Sequence, residues 1–541
     1  MIMIPVIPMS LNIRKLNADK VTRTHPGYSR LALTGLPFIL STMFFCNGAS
    51  ATTDTTASVD AVASANTIAV EKIATEKIAA EKMAAEKTVY PWDDRAIVTH
   101  VPQSAYRGAL DEDKLMKLIA EGERLFIAQF TTADGVGRPM STQAIIPTKR
   151  KRPPRNHFSR TAGLDATSCA SCHNQPVIGG AGDFVTNVFV SEGFQNTEFD
   201  NTDPQFSNER NTNHLFGAGL IELLAREMTD DLQHQRNDAL ARARKHGHPV
   251  TVQLLTKGVT FGALTANSDG TVNLGQVDGV DDDLVIRPFS QKGVITSLRQ
   301  FTINALNHHH GMLATERYGA RWTGTSDFDE DNIDNEISDG DITALVAWQA
   351  TLPQPEIEIP DNQQWQSAAR HGEQLFTATG CADCHRPALP LRSTVFHDPG
   401  PYDAAGTRRQ NEDDSGTSYD LALLPWVEDL PRDENGHVLV PLFGDLKRHK
   451  IADQEVAALG NELLAQRFVE RDVFSTTELW GVAATAPYGH RGDLGTLHEV
   501  IAAHGGDGRA ARDQYLSLAE TKRQHLIAFL KTLTIADDHI D

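Results

Sequence analysis

Residues 380–390 read GCADCHRPALP and contain two closely spaced cysteines followed by a histidine. Cys381, Cys384 and His385 form the pattern C-x-x-C-H, which marks covalent attachment of haem c. The two thiols bond the vinyl groups of a haem, and the adjacent imidazole binds the iron from one side. An electron-transfer haem often takes methionine as its second axial ligand, but no methionine follows Met312. This iron therefore needs a different ligand on its other side.

The N-terminal region has the features of an export signal. A basic region precedes the apolar run 31–45, and residues 49–51 form a small-residue cleavage pattern. Because the apolar run is too short for a comfortable membrane span, residues 1–51 predict a signal peptide and a periplasmic protein. Residues 52–94 predict a spacer, since the Glu-Lys pairs between 70 and 87 fit no single helix face.

The charge and hydropathy of the chain argue against nucleic acid binding and against a membrane span after the signal. The chain has 50 Lys and Arg against 71 Asp and Glu, a net charge of −21, which argues against nucleic acid binding. A basic island at 148–155 predicts a solvated loop, with a docking or haem-propionate contact as the alternative. No later run approaches the length of a transmembrane helix, so we expect no membrane span once the signal is removed.

The C-x-x-C-H pattern occurs a second time, at Cys169, Cys172 and His173. The alternative is a pair of zinc or redox C-x-x-C motifs, because two half-sites together supply the four ligands of structural zinc. Export argues against that alternative, since free dithiols outside the cytoplasm tend to oxidise. We therefore expect two covalently bound haem c groups, with His173 and His385 as the proximal iron ligands.

The two motifs are embedded in a repeated pattern. The sequence Gly-Glu-x-Leu-Phe occurs at 122–126 and again at 372–376, each time at helical spacing ahead of a motif. Each half also closes with a similar apolar helix, at 342–352 and 523–533. Since helix, haem motif, irregular middle and closing helix is the order of a c-type cytochrome domain, we predict a mainly α fold. It consists of two tandem c-type cytochrome domains with long irregular insertions.

The predicted domains meet at a polar, Pro-rich segment near residue 354. The N-terminal cytochrome c-like domain covers 95–353, and the C-terminal one covers 371–541. Residues 354–370 form the linker and the start of the second domain.

These motifs resemble those of the bacterial di-haem oxidoreductases that are relatives of the dihaem cytochrome c peroxidases. The matching segments are CASCHNQPVIGGAGD (169–183), LFGAGLIELL (215–224), SLRQFTINALNHHHGM (297–312), GCADCH (380–385) and APYGHRGDLGTLHEVIAAHGG (486–506). The resemblance implies a periplasmic enzyme that reduces hydrogen peroxide or a similar oxidant. It further implies a peroxidatic haem in the N-terminal half, an electron-transfer haem in the C-terminal half, and a small periplasmic electron donor.

The chain departs from these relatives in one respect. It has no tryptophan between His173 and Trp322, the region where the related peroxidases keep one for electron relay. Trp322 and Trp480 are the remaining candidates for that relay.

For the C-terminal iron, the resemblance places the distal ligand at His504. His449 and His490 are alternatives, and so is a helix-capping role in which His504 binds no metal. Two imidazoles give a closed iron suited to electron transfer.

In the internal repeat, Thr323 corresponds to His504 and is a poor iron ligand. The first haem therefore lacks a sixth ligand at that position, and an open iron is what peroxide requires. Met312 or His309 is a candidate plug for this vacancy. Further residues near enough in sequence are His214, Met228, His308 and His310. Because three successive histidines are not expected to face one haem together, at least one should bond elsewhere.

Glu222, inside LFGAGLIELL, is a candidate acid or base for peroxide. The alternative is an ordinary exposed helix glutamate.

An acidic segment predicts a calcium site. Its carboxylates recur at alternate positions, which suits an oxygen-preferring ion, and calcium occurs between the domains of the related peroxidases. The residues are Asp327, Asp329, Asp331 and Glu336. Asn332 and Ser338 depart from the EF-hand pattern, so a solvated acidic loop is the alternative.

Two functions remain open at this point. One is a dihaem peroxidase, and the other is an electron-transfer cytochrome with two six-coordinate irons and no substrate. The missing counterpart of His504 in the first half favours the enzyme. The related family also includes enzymes that oxidise protein side chains, so the natural substrate stays open.

Overall fold

The computed structural model describes residues 92–137, 167–182, 185–189, 207–403, 406–408, 416–462 and 468–535. The predicted signal peptide, residues 52–91 of the predicted spacer and the basic island lie outside the described residues. Within the described ranges, no helix combines the length and apolar character needed to cross a bilayer.

Helices predominate, as the sequence predicted. They are α1 (Glu112–Ile127), α2 (Ala218–His246), α3 (Leu298–Ala305), α4 (Thr315–Tyr318), α5 (Ala320–Thr323), α6 (Asp339–Thr351), α7 (Gln363–Ala378), α8 (Pro425–Glu428), α9 (Leu497–Ala502), α10 (Arg509–Ser517) and α11 (Glu520–Leu530). A π-helical turn, Leu306–His310, continues directly from α3. Shorter 3₁₀ turns are Gln103–Tyr106, Thr132–Asp134, Cys169–Ser171, Cys381–Asp383, Leu421–Leu423, Ala458–Gly460, Val482–Ala484 and Gly506–Gly508.

The strands are short and form several small sheets. They are β1 (Gly108–Ala109), β2 (Val185–Phe189), β3 (Ser207–Asn211), β4 (Val250–Thr256), β5 (Val259–Ala266), β6 (Val272–Val277), β7 (Glu356–Ile357), β8 (Leu389–Leu391), β9 (Val395–Asp398), β10 (Thr417–Asp420), β11 (Val438–Val440), β12 (Arg448–Lys450), β13 (Val473–Ser475) and β14 (Leu533–Thr534). β4, β5 and β6 form an antiparallel sheet inside the N-terminal half, at a place where the sequence analysis expected irregular chain. β1 pairs in parallel with β10, and β10 pairs antiparallel with β9. The remaining antiparallel pairs are β2–β3, β8–β11, β12–β13 and β7–β14.

The repeated helices form two similar crossings, and a glycine lies at each. A Cβ on Gly122 of α1 would lie 2.0 Å from the Ala344 carbonyl oxygen of α6. A Cβ on Gly372 of α7 would lie 2.0 Å from the His525 carbonyl oxygen of α11. The helices predicted on either side of each motif are confirmed, and the repeated glycine is explained by the close approach of two backbones.

Replacing Gly122 by alanine should therefore destabilise the protein. The added methyl group meets backbone atoms that cannot move aside, and overpacking of this kind costs ~1–3 kcal/mol. The free energy of unfolding, measured by denaturant titration, should fall by about that amount relative to the wild type. Gly495→Ala is the matched control, because its nearest neighbour would be the Glu499 carboxylate at 3.5 Å. An unchanged unfolding midpoint for Gly122→Ala would show that the two helices separate at little cost.

The hydrophobic cores do not follow the predicted domain boundary. One core contains α1, α2 and α6 and also takes in side chains of the C-terminal half, among them Leu389, Phe396, Leu442 and Trp480. The second core is smaller and is built on α7, α9, α10 and α11 around Phe376, Phe443 and Phe529. The described residues from 92 onward belong to one compact unit, and the first core contains side chains of both halves. The division into two domains near residue 354 stays a prediction.

Candidate functional site

The first C-x-x-C-H motif begins with the turn Cys169–Ser171. The Ser168 hydroxyl caps this turn by accepting a hydrogen bond from the Ser171 amide at 3.1 Å. His173 follows, with Nδ1 3.3 Å from the Gly180 carbonyl oxygen. Burial lowers the pKa of His173 to about 4, against the opposing effect of backbone bonds to Gly180 and Asn213. The imidazole is therefore neutral and oriented from the backbone, as metal-binding histidines usually are.

The cysteines of this motif fit thioether attachment better than redox chemistry. Cys169 and Cys172 are not joined by a disulfide. Burial raises the pKa of Cys169 to about 12, which disfavours the thiolate that a redox dithiol requires. Two neighbouring thiols and a neutral imidazole are the donor set that haem c takes up, so the residues present fit that group.

A cavity of about 590 Å³ lies beside the first motif. This volume falls in the range of cofactor and small-molecule pockets. Its N-terminal wall includes Phe126, His173, His214, Gln300 and His309. The C-terminal half completes the wall with Phe468, Ser475, Thr476, Thr477 and Glu478. The site at the first motif is thus built by both halves of the chain.

The three consecutive histidines lie on the π-helical turn after α3, and each of them lines the cavity. Such turns are often found at functional sites. Burial lowers the pKa of His309 to about 3, with further lowering from His308, His310 and His173. His309 and His173 are therefore close enough to interact electrostatically. The ring of His310 packs edge-on against Phe130 with ring centroids 5.5 Å apart.

His214 lines the same cavity. Its Nε2 lies 3.1 Å from the carbonyl oxygen of Trp480. Burial lowers the pKa of His214 to about 4, against the effect of this hydrogen bond.

Met312 does not lie at the cavity. Its side chain is fully buried in the first hydrophobic core and is not among the residues that line the cavity. The described cavity wall therefore gives no support to Met312 as a plug. Met228 is buried in the same core.

Thr323 also lies away from the cavity wall. Its hydroxyl bonds to the carbonyl oxygens of Tyr318 at 2.9 Å and Gly319 at 3.1 Å. Thr323 thus bonds to backbone carbonyls at the end of α5. The position that corresponds to His504 therefore offers no ligand to the cavity.

Glu222 of α2 differs from both interpretations of its sequence. It is 1% exposed, so the exposed-glutamate alternative is wrong. One carboxylate oxygen accepts from the Leu298 amide at 2.8 Å, and the other accepts from Arg226. Glu222 is not among the cavity-lining residues, so the assignment as a peroxide-side acid is corrected too. A carboxylate at the first residue of α3 stabilises that helix N-terminus.

The second motif brings two histidines together. Nδ1 of His385 lies 3.2 Å from the Phe443 carbonyl oxygen, and Nδ1 of His504 lies 2.7 Å from the Val500 carbonyl oxygen. Burial lowers the pKa of His385 to about 4, and His504 lowers it further. Burial also lowers the pKa of His504 itself. Two neutral imidazoles, His385 with its pKa lowered in part by His504, together with Cys381 and Cys384 are residues that fit a haem c group.

The two alternative ligands of the second motif have different surroundings. His449 Nε2 lies 2.8 Å from an Asp445 carboxylate oxygen. Burial opposes protonation of His449, but hydrogen bonds to Asp445 and Cys384 raise its pKa to about 10. His490 stacks on Phe474 with ring centroids 4.3 Å apart. Burial lowers the pKa of His490 to about 3, so both His490 and His504 are neutral imidazoles, and His504 as the distal ligand stays a prediction.

The two candidate relay tryptophans lie in different environments. Trp322 is 53% exposed and lies under the Arg321 guanidinium. Trp480 is 2% exposed, and a Cβ on Gly217 would lie 2.4 Å from its ring. The residue next to it, Leu479, packs against the second core. Trp480 thus lies between the cavity-lining His214 and the second core.

The predicted calcium ligands are only partly gathered. Carboxylate oxygens of Asp327, Asp329 and Asp331 lie within 4.8 Å of one another. Asp327 accepts hydrogen bonds from the Asp331 and Asn332 amides at 3.1 and 3.0 Å. Glu336 is outside this group, and its carboxylate accepts from the Leu313 amide at 2.7 Å. Asp329 is fully buried, so the segment is not a wholly solvated loop. Calcium binding stays a prediction.

Sequence reasoning missed most polar residues of the cavity wall, Gln300 and Glu478 among them. Both lie in segments that the internal repeat aligns, 296–311 and 476–492. The alignment showed that these segments are related, but it gave no sign that both reach one cavity.

A short segment of the chain is similar in sequence to a protein named as a peroxidase. No protein-family model matches the chain. Over 70 residues it is 47% identical to the cytochrome-c peroxidase IdrP2 of Pseudomonas sp. (strain SCT). The match covers 12% of this chain and 18% of that relative, so the chain spans less than a fifth of the curated relative.

Two solved structures align over most of the chain. A hydrazine synthase from Kuenenia stuttgartiensis aligns with a TM-score of 0.36 at 12% identity, covering 82% of this chain and 97% of that chain. A MauG-like protein associated with microbial copper homeostasis aligns with a TM-score of 0.28 at 16% identity, covering 83% and 96% respectively. TM-scores of this size do not establish a shared fold.

Proposed function

We propose that this chain is an exported di-haem c-type oxidoreductase that reduces hydrogen peroxide at its N-terminal site. Electrons reach that site through the C-terminal one. The observation that carries this proposal is the cavity of about 590 Å³ at the first motif, which residues of both halves of the chain line. A peroxidase needs one centre that a small ligand can reach and another that only transfers electrons. The segment similar to a cytochrome-c peroxidase supports the same class.

At the N-terminal site, Cys169 and Cys172 would hold the haem and His173 its iron. When bound, haem c supplies an iron that exchanges electrons and binds small ligands. Gln300 is the chain's own donor toward such a ligand. Its amide oxygen accepts from the Thr296 hydroxyl at 2.7 Å and from the Thr296 amide at 3.1 Å. The orientation of the amide is thereby fixed, and its NH₂ group, which bonds to no described residue, is available to the cavity.

At the C-terminal site, Cys381 and Cys384 would hold the second haem, and His385 and His504 would bind its iron. The buried Trp480 supports an electron route between the sites. Its carbonyl accepts from His214 at the cavity, and its neighbour Leu479 packs against the second core. We assign the relay to Trp480 and not to the exposed Trp322.

The electron-transfer cytochrome remains a second candidate because of one observation. His309 lies in the cavity and interacts electrostatically with His173. If His309 binds the iron permanently, both irons are six-coordinate and no substrate enters. In the peroxidase proposal His309 is a plug that leaves when the C-terminal haem is reduced.

Half-reduction separates the two candidates. In the peroxidase, the half-reduced protein should show a high-spin haem by electron paramagnetic resonance, bind cyanide, and consume hydrogen peroxide faster than the oxidised protein. If it stays wholly low-spin and binds neither ligand, yet still passes electrons, the chain is an electron carrier. The variant His248→Gly, which removes an exposed imidazole, should behave like the wild type in each of these measurements.

The remaining parts of the proposal rest on the sequence. The signal-like N-terminus supports a periplasmic location, and the resemblance to di-haem oxidoreductases supports a small periplasmic electron donor. We also propose calcium binding at Asp327, Asp329 and Asp331, whose carboxylate oxygens lie within 4.8 Å of one another.

A further inference from the structure

The cavity at the first motif contains a carboxyl group that the C-terminal half supplies. Among the described residues that line this cavity, Glu478 is the one with a carboxylate side chain. It follows β13, and the chain on both sides of it is anchored. The Thr476 amide donates to the Lys447 carbonyl at 2.9 Å, and the Leu479 amide donates to the Leu442 carbonyl at 3.1 Å. Glu478 therefore occupies a fixed place in the wall.

The Glu478 carboxyl group is not used by the fold. No other described residue forms a hydrogen bond or an ion pair with it, unlike Glu222, whose two oxygens both have partners. The guanidinium that lines the same cavity, Arg210, is paired with Glu462. Burial raises the pKa of Glu478. Burial thus favours the protonated form of this carboxyl group more than water does, and groups perturbed in this way are common at catalytic sites.

Peroxide reduction requires such a group. The oxygen–oxygen bond breaks readily when a proton leaves one oxygen and arrives on the other, which departs as water. The first oxygen then takes two electrons from the donor and two protons from solvent and becomes the second water. The net change is one peroxide, two electrons and two protons converted to two water molecules.

We propose that Glu478, contributed by the C-terminal half, is the residue that moves this proton in the N-terminal cavity. The inference rests on the proposed function and adds its acid–base residue. Gln300 is the neutral partner, since its oriented NH₂ group can donate to the peroxide without taking the proton. The C-terminal half then supplies both electrons and proton transfer to the N-terminal site.

Glu478→Gln tests this role, because it keeps the shape of the side chain and removes the acid. General acid–base catalysis typically contributes ~10²–10⁴-fold, so peroxide turnover by the holoprotein should fall at least ~100-fold. Glu478→Asp, which retains a carboxyl group, should recover part of the rate. Glu428→Gln, on an exposed face of α8, is the matched control and should leave turnover unchanged.

A second measurement does not depend on turnover. Hydrogen cyanide must lose its proton as it binds a ferric haem, so the same base should accelerate cyanide association. Stopped-flow absorbance on the half-reduced protein should show slower cyanide association in Glu478→Gln than in the wild type or in Glu428→Gln. Haem content and the resting visible spectrum should stay the same in all three proteins.

The outcomes separate this inference from the proposed function. If the wild type neither consumes peroxide nor binds cyanide, the proposed function fails and this inference fails with it. If the wild type does both and Glu478→Gln does both equally fast, only the role of Glu478 is overturned. It is also overturned if Glu478→Gln loses haem or changes the resting spectrum while cyanide association keeps its rate, since Glu478 is then structural.

Discussion

His173→Gly should abolish peroxide consumption while the C-terminal haem remains redox-active. His173 is the residue that holds the N-terminal iron in this proposal, and its ring is oriented by the Gly180 carbonyl. Changing even the outer partners of metal ligands costs ~10–100-fold in affinity or activity, so loss of the ligand itself should lower turnover by more than ~100-fold. Peroxide turnover and a redox titration of the visible spectrum measure the two effects separately.

The control for His173→Gly is His248→Gly, which removes an exposed imidazole. It should keep wild-type turnover. Full peroxide consumption by His173→Gly, with the N-terminal haem still attached, would move the reaction to the C-terminal site. Loss of redox activity at both haems would instead indicate that His173 supports the fold of both halves.

His504→Gly should convert one low-spin haem to high spin and leave the other unchanged. The reason is that His504 is one of the causes that lower the pKa of His385, and the Nδ1 atom of each ring lies at a backbone carbonyl oxygen. Removing one imidazole opens the iron on that side. Electron paramagnetic resonance of the oxidised protein should show roughly half of the low-spin signal lost.

His449→Gly and His490→Gly serve as comparisons for His504→Gly. Both should keep the low-spin signal, because His449 is bonded to Asp445 and His490 is stacked on Phe474. An unaltered signal in His504→Gly would transfer the axial-ligand assignment to whichever of these two variants loses it.

Short sequence patterns were sufficient to predict the two haem motifs and the helices around them. The two C-x-x-C-H motifs and the helices around Gly122 and Gly372 are recognisable because helical periodicity and motif spacing lie within short stretches of chain. The crossings α1–α6 and α7–α11 follow from the same repeat. Close backbone contact at the two glycines accounts for the residue type that the repeat preserves.

The predictions that the structure does not support concern side chains whose neighbours in space are distant in sequence. Met312 follows the histidine run directly, yet core packing buries it away from the cavity. Glu222 lies in a motif with apparent functional character, but Arg226 and the Leu298 amide take both of its oxygens. Proximity in sequence to a functional segment therefore did not predict position in the site.

The chemistry of attachment can be read from the amino-acid order alone, because Cys, Cys and His must be neighbours to hold one haem. The same holds for the helical repeat that frames each motif. The composition of the cavity could not be read that way. Glu478 is about 300 residues from the first motif and lines the cavity beside it, while the neighbouring Trp480 is buried in the first core. Such long-range packing depends on how all buried surfaces fit together, and no local pattern records it.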